Sequence, residues 1–431
     1  MTDHHATADA FDEATFLADF HYTTRFGATA ANGVDRQAGT AEHGAIRDWF
    51  TARARDLGFT IKVDEIGNVF ASLEFVPGAD HVYLGSHLDS QPLGGRFDGT
   101  YGVMAALYAA ARIKALADAA ELTPTHNITV VDWFNEEGAR FVPSLMGSNV
   151  FAGFWDLQAT LETKDPKGVT VREALEQIGY LGADTPPPIG SYAELHIEQG
   201  RVLEREGITI GAVDQSWYTQ KLVVQVLGEQ SHTGATIMAD RHDALVAASE
   251  IVLLAERVVA GFEPEQIVTS VGKFDVLPNS PIVVPRQVDL VIDIRANERA
   301  DVEKARDLLK EQIQEVAQRR ELTITAEDFD IRDIQHYPVE GMELTEKACA
   351  DARASVRRMR TMAGHDSVVM NRIVPAVMVF IPSIGGISHC EREFTTDEDM
   401  VTGVEVLTDI ALRMVTGALD DVAPGEPHTE S

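Results

Sequence analysis

The stretch HVYLGSHLDSQPLGGRFDGTYGVMAALYAAARIKAL (81–116) decides the fold. A short apolar run ends at a His-x-Asp, His87-Leu88-Asp89, and a glycine-rich loop then carries Asp98. An alanine-rich helix follows directly after Gly99. Strand, polar loop and helix in that order predict one repeat unit of an α/β sheet. Outward from it, apolar positions at helical spacing run through Phe16–Phe20 and Ile46–Leu57. On the other side, NITVVDWFNEE (127–137) is a strand-like run ending in the pair Glu136–Glu137. Helix and strand signals alternate through about residue 211, which predicts a largely parallel sheet. In such sheets functional residues gather at the carboxyl ends of strands. His87, Glu136, Glu137 and His196 all fall where predicted strands finish.

The pattern changes near Ala212. A strand (Lys221–Leu227), a turn with SHTGAT (231–236), a helix (Ala239–Val259) and two strands (Gln266–Phe274, Gln287–Ala296) come first. A helix (Ala300–Ala317) and a strand (Glu321–Asp328) follow. Two helices against an antiparallel sheet predict a small α+β domain at 212–329, inserted between 1–211 and 330–431 of a larger α/β domain. A helix from about Thr396 to Val415 closes the larger domain, and DVAPGEPHTES (421–431) reads as a frayed end.

The bulk composition narrows the function classes. At 431 residues the chain has room for two domains with cores of their own. A net charge of −32 argues against nucleic acid and anionic membranes as partners. No run approaches the ~18–20 apolar residues of a membrane span. MTDHHATADAFDEATF (1–16) is acidic and lacks the basic start and apolar core of a secretory signal. The two cysteines, Cys349 and Cys390, suggest no disulfide framework, so a reduced, cytoplasmic setting is expected.

Four contexts carry the chemistry: GSHLDSQPLGGRFDG (85–99), NEEGARF (135–141), ELHIEQG (194–200) and GGISHCE (385–391). They bring His87, Asp98, Glu136, Glu137, His196 and His389, a set that reads as ligands of two divalent cations. Two such cations roughly 3.5–4 Å apart polarise a carbonyl and lower the pKa of water. A thiolate-free set of imidazoles and carboxylates suits Zn, Mn, Co or Ni without preference. Asp89 stands where it can accept a hydrogen bond from a ligand histidine and fix its tautomer. Asp98, among glycines that allow a close backbone approach, can bridge both ions. Adjacent residues on a strand point to opposite faces. Glu137 therefore suits a metal, and Glu136 suits a general base that later acts as the acid for a leaving nitrogen. Singly, each motif has a bland reading: a solvated pair of glutamates, or a hydrogen-bonded core histidine. Four of them in one chain favour the metal pair and a hydrolase.

Together with SHTGATIM (231–238) and DIR (293–295), these motifs resemble the hydantoinase/carbamoylase-type amidases of the M20 metallopeptidase superfamily. That group includes N-carbamoyl-L-amino-acid hydrolases and allantoate amidohydrolases, and the similarity spans nearly the whole chain. The resemblance implies a dinuclear catalytic domain and an inserted lid domain that forms a homodimer. It assigns His87 and His196 to one metal, Glu137 and His389 to the other, Asp98 to the bridge and Glu136 to the base. It further implies that His232 reaches across the dimer to an oxyanion, and that Gln199, Asn279 and Arg295 bind substrate. The family usually carries P-N-x-x-N before the arginine strand. Here LPNSPIVVP (277–285) keeps Asn279 but places Ile282 at the second asparagine. Isoleucine donates no hydrogen bond, so an altered carboxylate pocket is expected.

The expected activity is metal-dependent hydrolysis of a linear C–N amide or ureido bond in a small carboxylate-bearing substrate, such as an N-carbamoyl or N-acyl amino acid. Alternatives on the same machinery are an allantoate-type amidohydrolase and an M20 dipeptidase or aminoacylase. A catalytically silent binding protein is the alternative of another class, and the retention of Glu136 beside all five ligands argues against it.

Overall fold

A computed structural model of the chain describes residues 12–425. The remainder, 1–11 and 426–431, includes most of the segment expected to fray and lies outside the described residues. In chain order the strands begin with β1 (Thr60–Val63), β2 (Val69–Leu73), β3 (His81–His87), β4 (Asn127–Trp133), β5 (Ile189–Ile197) and β6 (Ile210–Ser216). Next come β7 (Tyr218–Leu227), β8 (Ser231–His232), β9 (Ile267–Leu277), β10 (Val283–Val284), β11 (Gln287–Ala296) and β12 (Thr323–Arg332). The last two are β13 (Val356–Thr361) and β14 (Ala376–Ile381).

The chain divides into two compact units. One runs up to Gln215 and resumes at Gln335, and the other is Ser216–Ile334. The change of pattern at 212–329 marked the inserted segment a few residues early at both ends. Residues 212–216 belong to the large sheet because β6 pairs with β14, with Ala212 opposite Val379.

The first unit is built on an eight-stranded sheet in the order β1-β2-β4-β3-β5-β14-β6-β13. Its central strands β4, β3, β5 and β14 are parallel neighbours. β1, β2 and β6 run antiparallel to their partners at the flanks. Both faces are covered, as a parallel sheet requires. Val82 and Leu84 of β3 and Ile128 and Val130 of β4 point into one core, shared with the Thr100–Asp118 and Asp397–Val415 helices. Tyr83, Val131, Trp133 and Tyr192 point into the other. Strict alternation along β3 and β4 thus serves two apolar layers rather than one. Among the described residues no helix is long and apolar enough to cross a membrane, and both cysteines are free.

The second unit is a four-stranded antiparallel sheet in the order β12-β7-β11-β9. Alternate residues of β11, namely Val288, Leu290, Ile292 and Ile294, are buried. They share a core with Ala247, Ala248 and Ile251 of the Ala244–Arg257 helix, and with Leu309 and Ile313 of the Arg299–Arg320 helix. One face therefore packs on helices, while the other carries polar side chains with Val223, Leu227, Val268 and Leu277 exposed among them. A short pair, β8 with β10, sets His232 opposite Val283.

Candidate metal centre

All six expected metal and acid–base residues lie in the first unit, at the carboxyl ends of its four parallel strands. His87 is the last residue of β3, and the glutamate pair follows β4. His196 is the penultimate residue of β5, and His389 stands in the loop after β14. Asp98 comes from the loop between β3 and the Thr100–Asp118 helix. Gly99 has φ +64°, and a Cβ there would sit 2.4 Å from the His87 ring, so only glycine lets the Asp98 loop close over the histidine.

Asp98 occupies the middle. Its Oδ1 is 3.4 Å from His87 Nε2 and 3.1 Å from His196 Nε2, while its Oδ2 is 3.3 Å from His389 Nε2. Glu137 Oε2 lies 3.6 Å from His389 Nε2, and Glu136 Oε2 lies 3.5 Å from His87 Nε2. Two ligand groups follow, His87–Asp98–His196 and Asp98–Glu137–His389, with Asp98 common to both.

The tautomers show what these groups are arranged to hold. His87 Nδ1 is 3.0 Å from the Asp89 carbonyl and His196 Nδ1 is 2.9 Å from the Ile197 carbonyl. A carbonyl only accepts, so each Nδ1 carries the proton and each Nε2 presents a lone pair. Each lone pair faces a carboxylate oxygen at 3.1–3.4 Å, and that of His196 also accepts the Gly99 N–H at 3.1 Å. Acceptor against acceptor at that distance, in buried surroundings, requires positive charge between them. Divalent cations meet that requirement, and the donor set fits them. Asp89 works through two groups. Its carbonyl orients His87, and its carboxylate accepts the N–H groups of Glu136 (3.3 Å) and Glu137 (3.4 Å). The hydrogen bond from His87 goes to the Asp89 carbonyl, while the carboxylate, 3.6 Å from His87 Nδ1, also holds the glutamate turn.

That turn also explains how adjacent glutamates serve one site. β4 stops at Trp133, so the pair is not on a strand. Asn135 (φ +53°) and Gly138 (φ +63°) are left-handed on either side of it, which releases Glu136 and Glu137 from strand alternation.

The electrostatics follow from crowding. Burial pushes the Glu136 carboxyl well above its ordinary range, and the charges of Asp366, Glu137 and Asp98 add to the push against His87. Burial also raises Glu137, reinforced by Asp98. For Asp98 burial acts upward as well, but His196, His389 and His87 hold it well below the usual range. Burial opposes charge on His87, yet Glu136, Asp98 and Asp89 keep it well above its ordinary value. The half-exposed His389 is pushed up to about 9, partial burial being outweighed by Asp98 and Glu137. Without cations, protons supply the missing positive charge.

A consequence can be measured. Because these histidine pKa values are raised, the protons are present at pH 7 and cation binding must displace them. Calorimetry in buffers of different ionisation enthalpy should show net proton release at pH 7. Cation affinity should climb with pH through about 9, the region in which His389 gives up its proton. Binding with no proton release at pH 7 would contradict this electrostatic account.

The other expected residues fall as follows. Gln199, in a left-handed conformation (φ +60°), donates from Nε2 to Asp98 Oδ2 at 2.8 Å and to Ser388 Oγ at 3.2 Å. It therefore lies inside the ligand cluster. His232, Asn279, Ile282 and Arg295 belong to the second unit. His232 is exposed, and its Nδ1 accepts the N–H groups of Gly234 (3.0 Å) and Ala235 (3.1 Å). Asn279 and Ile282 are exposed, Ile282 at 68%. Arg295 donates from Nε and Nη2 to the two carboxylate oxygens of Asp293, at 3.1 and 2.7 Å. The sequence reading missed two residues that the structure places at the cluster. His365 packs its ring 4.7 Å from that of His196. Glu393 is buried and hydrogen-bonded to the Asp98 loop. Neither sits in a glycine-rich or strand-terminal motif that would have marked it.

A cluster of acid–base and ligand residues at the ends of parallel strands, in a chain that also carries a separate α+β unit, has the make-up of a metal-dependent hydrolase. The chain belongs to the peptidase family M20/M25/M40, whose model matches residues 83–413. This family is metal-dependent. A protein of Mycolicibacterium smegmatis named as a hydrolase is 46% identical over 97% of both chains. The N-carbamoyl-L-amino-acid amidohydrolase of Rhizobium meliloti is 32% identical over 89% of this chain and 92% of its own. The crystal structure of an amidase of the hydantoinase/carbamoylase family from Burkholderia vietnamiensis matches with a TM-score of 0.90 and 35% identity, covering 95% of this chain and 98% of that one.

Proposed function

We propose that this chain hydrolyses the linear C–N bond of a small N-carbamoyl or N-acyl amino acid, using two divalent cations per subunit (Zn, Mn, Co or Ni). His87, His196 and Asp98 would hold one cation, and Asp98, Glu137 and His389 the other. When bound, the cations supply Lewis acidity toward the substrate carbonyl and lower the pKa of water. The chain's own residues do the rest. Glu136, buried and belonging to neither ligand group, takes a proton from the attacking water at its carboxylate. The water oxygen adds to the carbonyl carbon. Glu136 then returns the proton to the nitrogen as the C–N bond breaks, giving a free amine and an acid. In His232, two backbone N–H groups occupy Nδ1, so Nε2 carries the proton and is the donor offered to a developing oxyanion. Arg295, aligned by Asp293, takes the substrate carboxylate.

The observation that carries this reading is the placement of Asp98 between two ligand groups with Glu136 beside them. The nature of the substrate is supported by the N-carbamoyl-L-amino-acid amidohydrolase of Rhizobium meliloti, to which the chain is similar. The test is a hydrolysis screen of metal-loaded enzyme against N-carbamoyl, N-formyl and N-acetyl amino acids, dipeptides and allantoate, scored by amine and ammonia release. The reading expects turnover of carbamoyl or acyl amino acids. Turnover confined to dipeptides or allantoate would move the assignment, and none at all would favour a binding protein.

The reading includes a homodimer in a reduced, cytoplasmic setting, with His232 of one subunit serving the centre of the other. Mixing inactive His232→Ala and inactive Glu136→Gln subunits should then restore activity. Confirmed heterodimers without activity would place His232 outside its partner's site.

Ile282 bears on selectivity, because it puts an exposed apolar side chain where a hydrogen-bonding amide is expected. Ile282→Asn should shift kcat/KM toward small N-carbamoyl amino acids by roughly 1–2 kcal/mol, the scale of a hydrogen bond to a charged group. An unchanged ratio against bulkier N-acyl substrates would show that position 282 does not face the ligand.

A further inference from the structure

Two of the residues proposed for the second cation, Asp98 and His389, sit on loops that are remote in sequence. The structure joins those loops through one buried side chain. Glu393 is 3% exposed. Its Oε1 accepts the backbone N–H groups of Phe97 (3.0 Å) and Asp98 (3.1 Å). Its Oε2 accepts the hydroxyl of Ser388, the residue before His389, at 2.8 Å. Ser388 Oγ is also 3.2 Å from Asp98 Oδ2. The carboxylate sits where Gly95 leaves a space: a Cβ at that position would fall 1.9 Å from Oε1 and 2.0 Å from Cδ of Glu393. The glycine and the glutamate are therefore one device, a cavity in one loop and the group that fills it from the other.

We propose that Glu393 is a positioning residue that sets the ligands of the second cation by tying the Asp98 loop to the His389 loop. The proposal rests on the two-cation reading above. Two of the three ligands of the second cation hang on this tie. In the first group, His87 and His196 are fixed independently by the Asp89 and Ile197 carbonyls. Loss of the carboxylate leaves the two buried N–H groups without their acceptor and removes the link from Ser388 to the Asp98 loop backbone, leaving the Ser388 hydroxyl only Asp98 Oδ2, which loosens both loops at once.

The test uses the full-length protein and three substitutions. Glu393→Ala removes the tie. Gly95→Ala evicts the carboxylate while keeping it in the chain. Glu393→Gln keeps an oxygen for the two N–H groups and offers Ser388 Oγ a donor instead. Calorimetric titration of the chelated protein with Mn²⁺ should show the second ion weakened about 10–100-fold in Glu393→Ala and Gly95→Ala, the range for loss of an orienting partner. The first ion, which shares Asp98 but keeps the independently fixed His87 and His196, should weaken clearly less than the second, and Glu393→Gln should recover most of the second ion's affinity. In the metal-free protein, amide hydrogen exchange at Phe97 and Asp98 should accelerate in the first two variants and not in Glu393→Gln. Equal weakening of both ions, no weakening, or unchanged exchange in Glu393→Ala would overturn the proposal. Should wild type take up fewer than two ions, the two-cation reading fails, and the exchange result still decides the tie.

Discussion

Glu136→Gln is expected to bind both cations and lose turnover by about 10²–10⁴-fold, the contribution of a positioned general base. Glu136 is 6% exposed and lies 3.5 Å from His87 Nε2, yet it belongs to neither ligand group. Glutamine has the same shape and cannot take up the proton, so the substitution separates proton transfer from ligation. Burial and the neighbouring carboxylates push the Glu136 carboxyl well upward, which favours its accepting a proton. The bound cations would offset part of that rise, since positive charge favours the carboxylate. Elemental analysis should find wild-type metal content in Glu136→Gln alongside the collapsed kcat. Wild-type kcat in that metal-replete variant would remove Glu136 from the chemistry.

The second large effect is on metal content. Asp98 turns Oδ1 toward His87 and His196 and Oδ2 toward His389. Removing it takes a ligand from both groups and also strips the negative charge that faces three imidazoles. Asp98→Ala should therefore empty both positions under conditions where His196→Ala loses one ion, with metal per chain read by elemental analysis. If the two variants retain the same metal, Asp98 is not shared. His87, His196 and His389 in Asp98→Ala should also titrate lower, because Asp98 is among the groups that raise each of them.

Much of this site was legible because each ligand occupies a context with few structural uses. An apolar run ending at His87, glycines around Asp98 and a strand-terminal His196 each imply a chain reversal at a strand's carboxyl end. The structure sets these residues at or just beyond the carboxyl ends of adjacent parallel strands. The role of Asp89 was half legible. Its position suggested an orienting function, but only the fold shows that the carbonyl serves His87 while the carboxylate serves the glutamates.

Alternation was the wrong rule for Glu136 and Glu137, because β4 ends before them and a left-handed Asn135 intervenes. The helix expected from Ala239 begins at Ala244, after a 3₁₀ turn at Met238–Asp240. Asp243 accepts the N–H groups of Leu245 and Val246 and fixes that start, a capping signal that the apolar periodicity upstream concealed. Glu393 was not legible at all. Its neighbours Glu391 and Arg392 are more exposed, and its burial depends on the absent side chain of Gly95, nearly three hundred residues earlier.

The central claim is that hydrolysis depends on two cations held by this cluster. The direct measurement is stepwise loading of the chelated enzyme with Mn²⁺ or Zn²⁺, with hydrolysis of an N-carbamoyl amino acid and bound metal per chain followed together. The account predicts no turnover in the metal-free protein and a plateau reached as two ions per chain are bound. Full activity in protein shown by elemental analysis to contain no metal would contradict it.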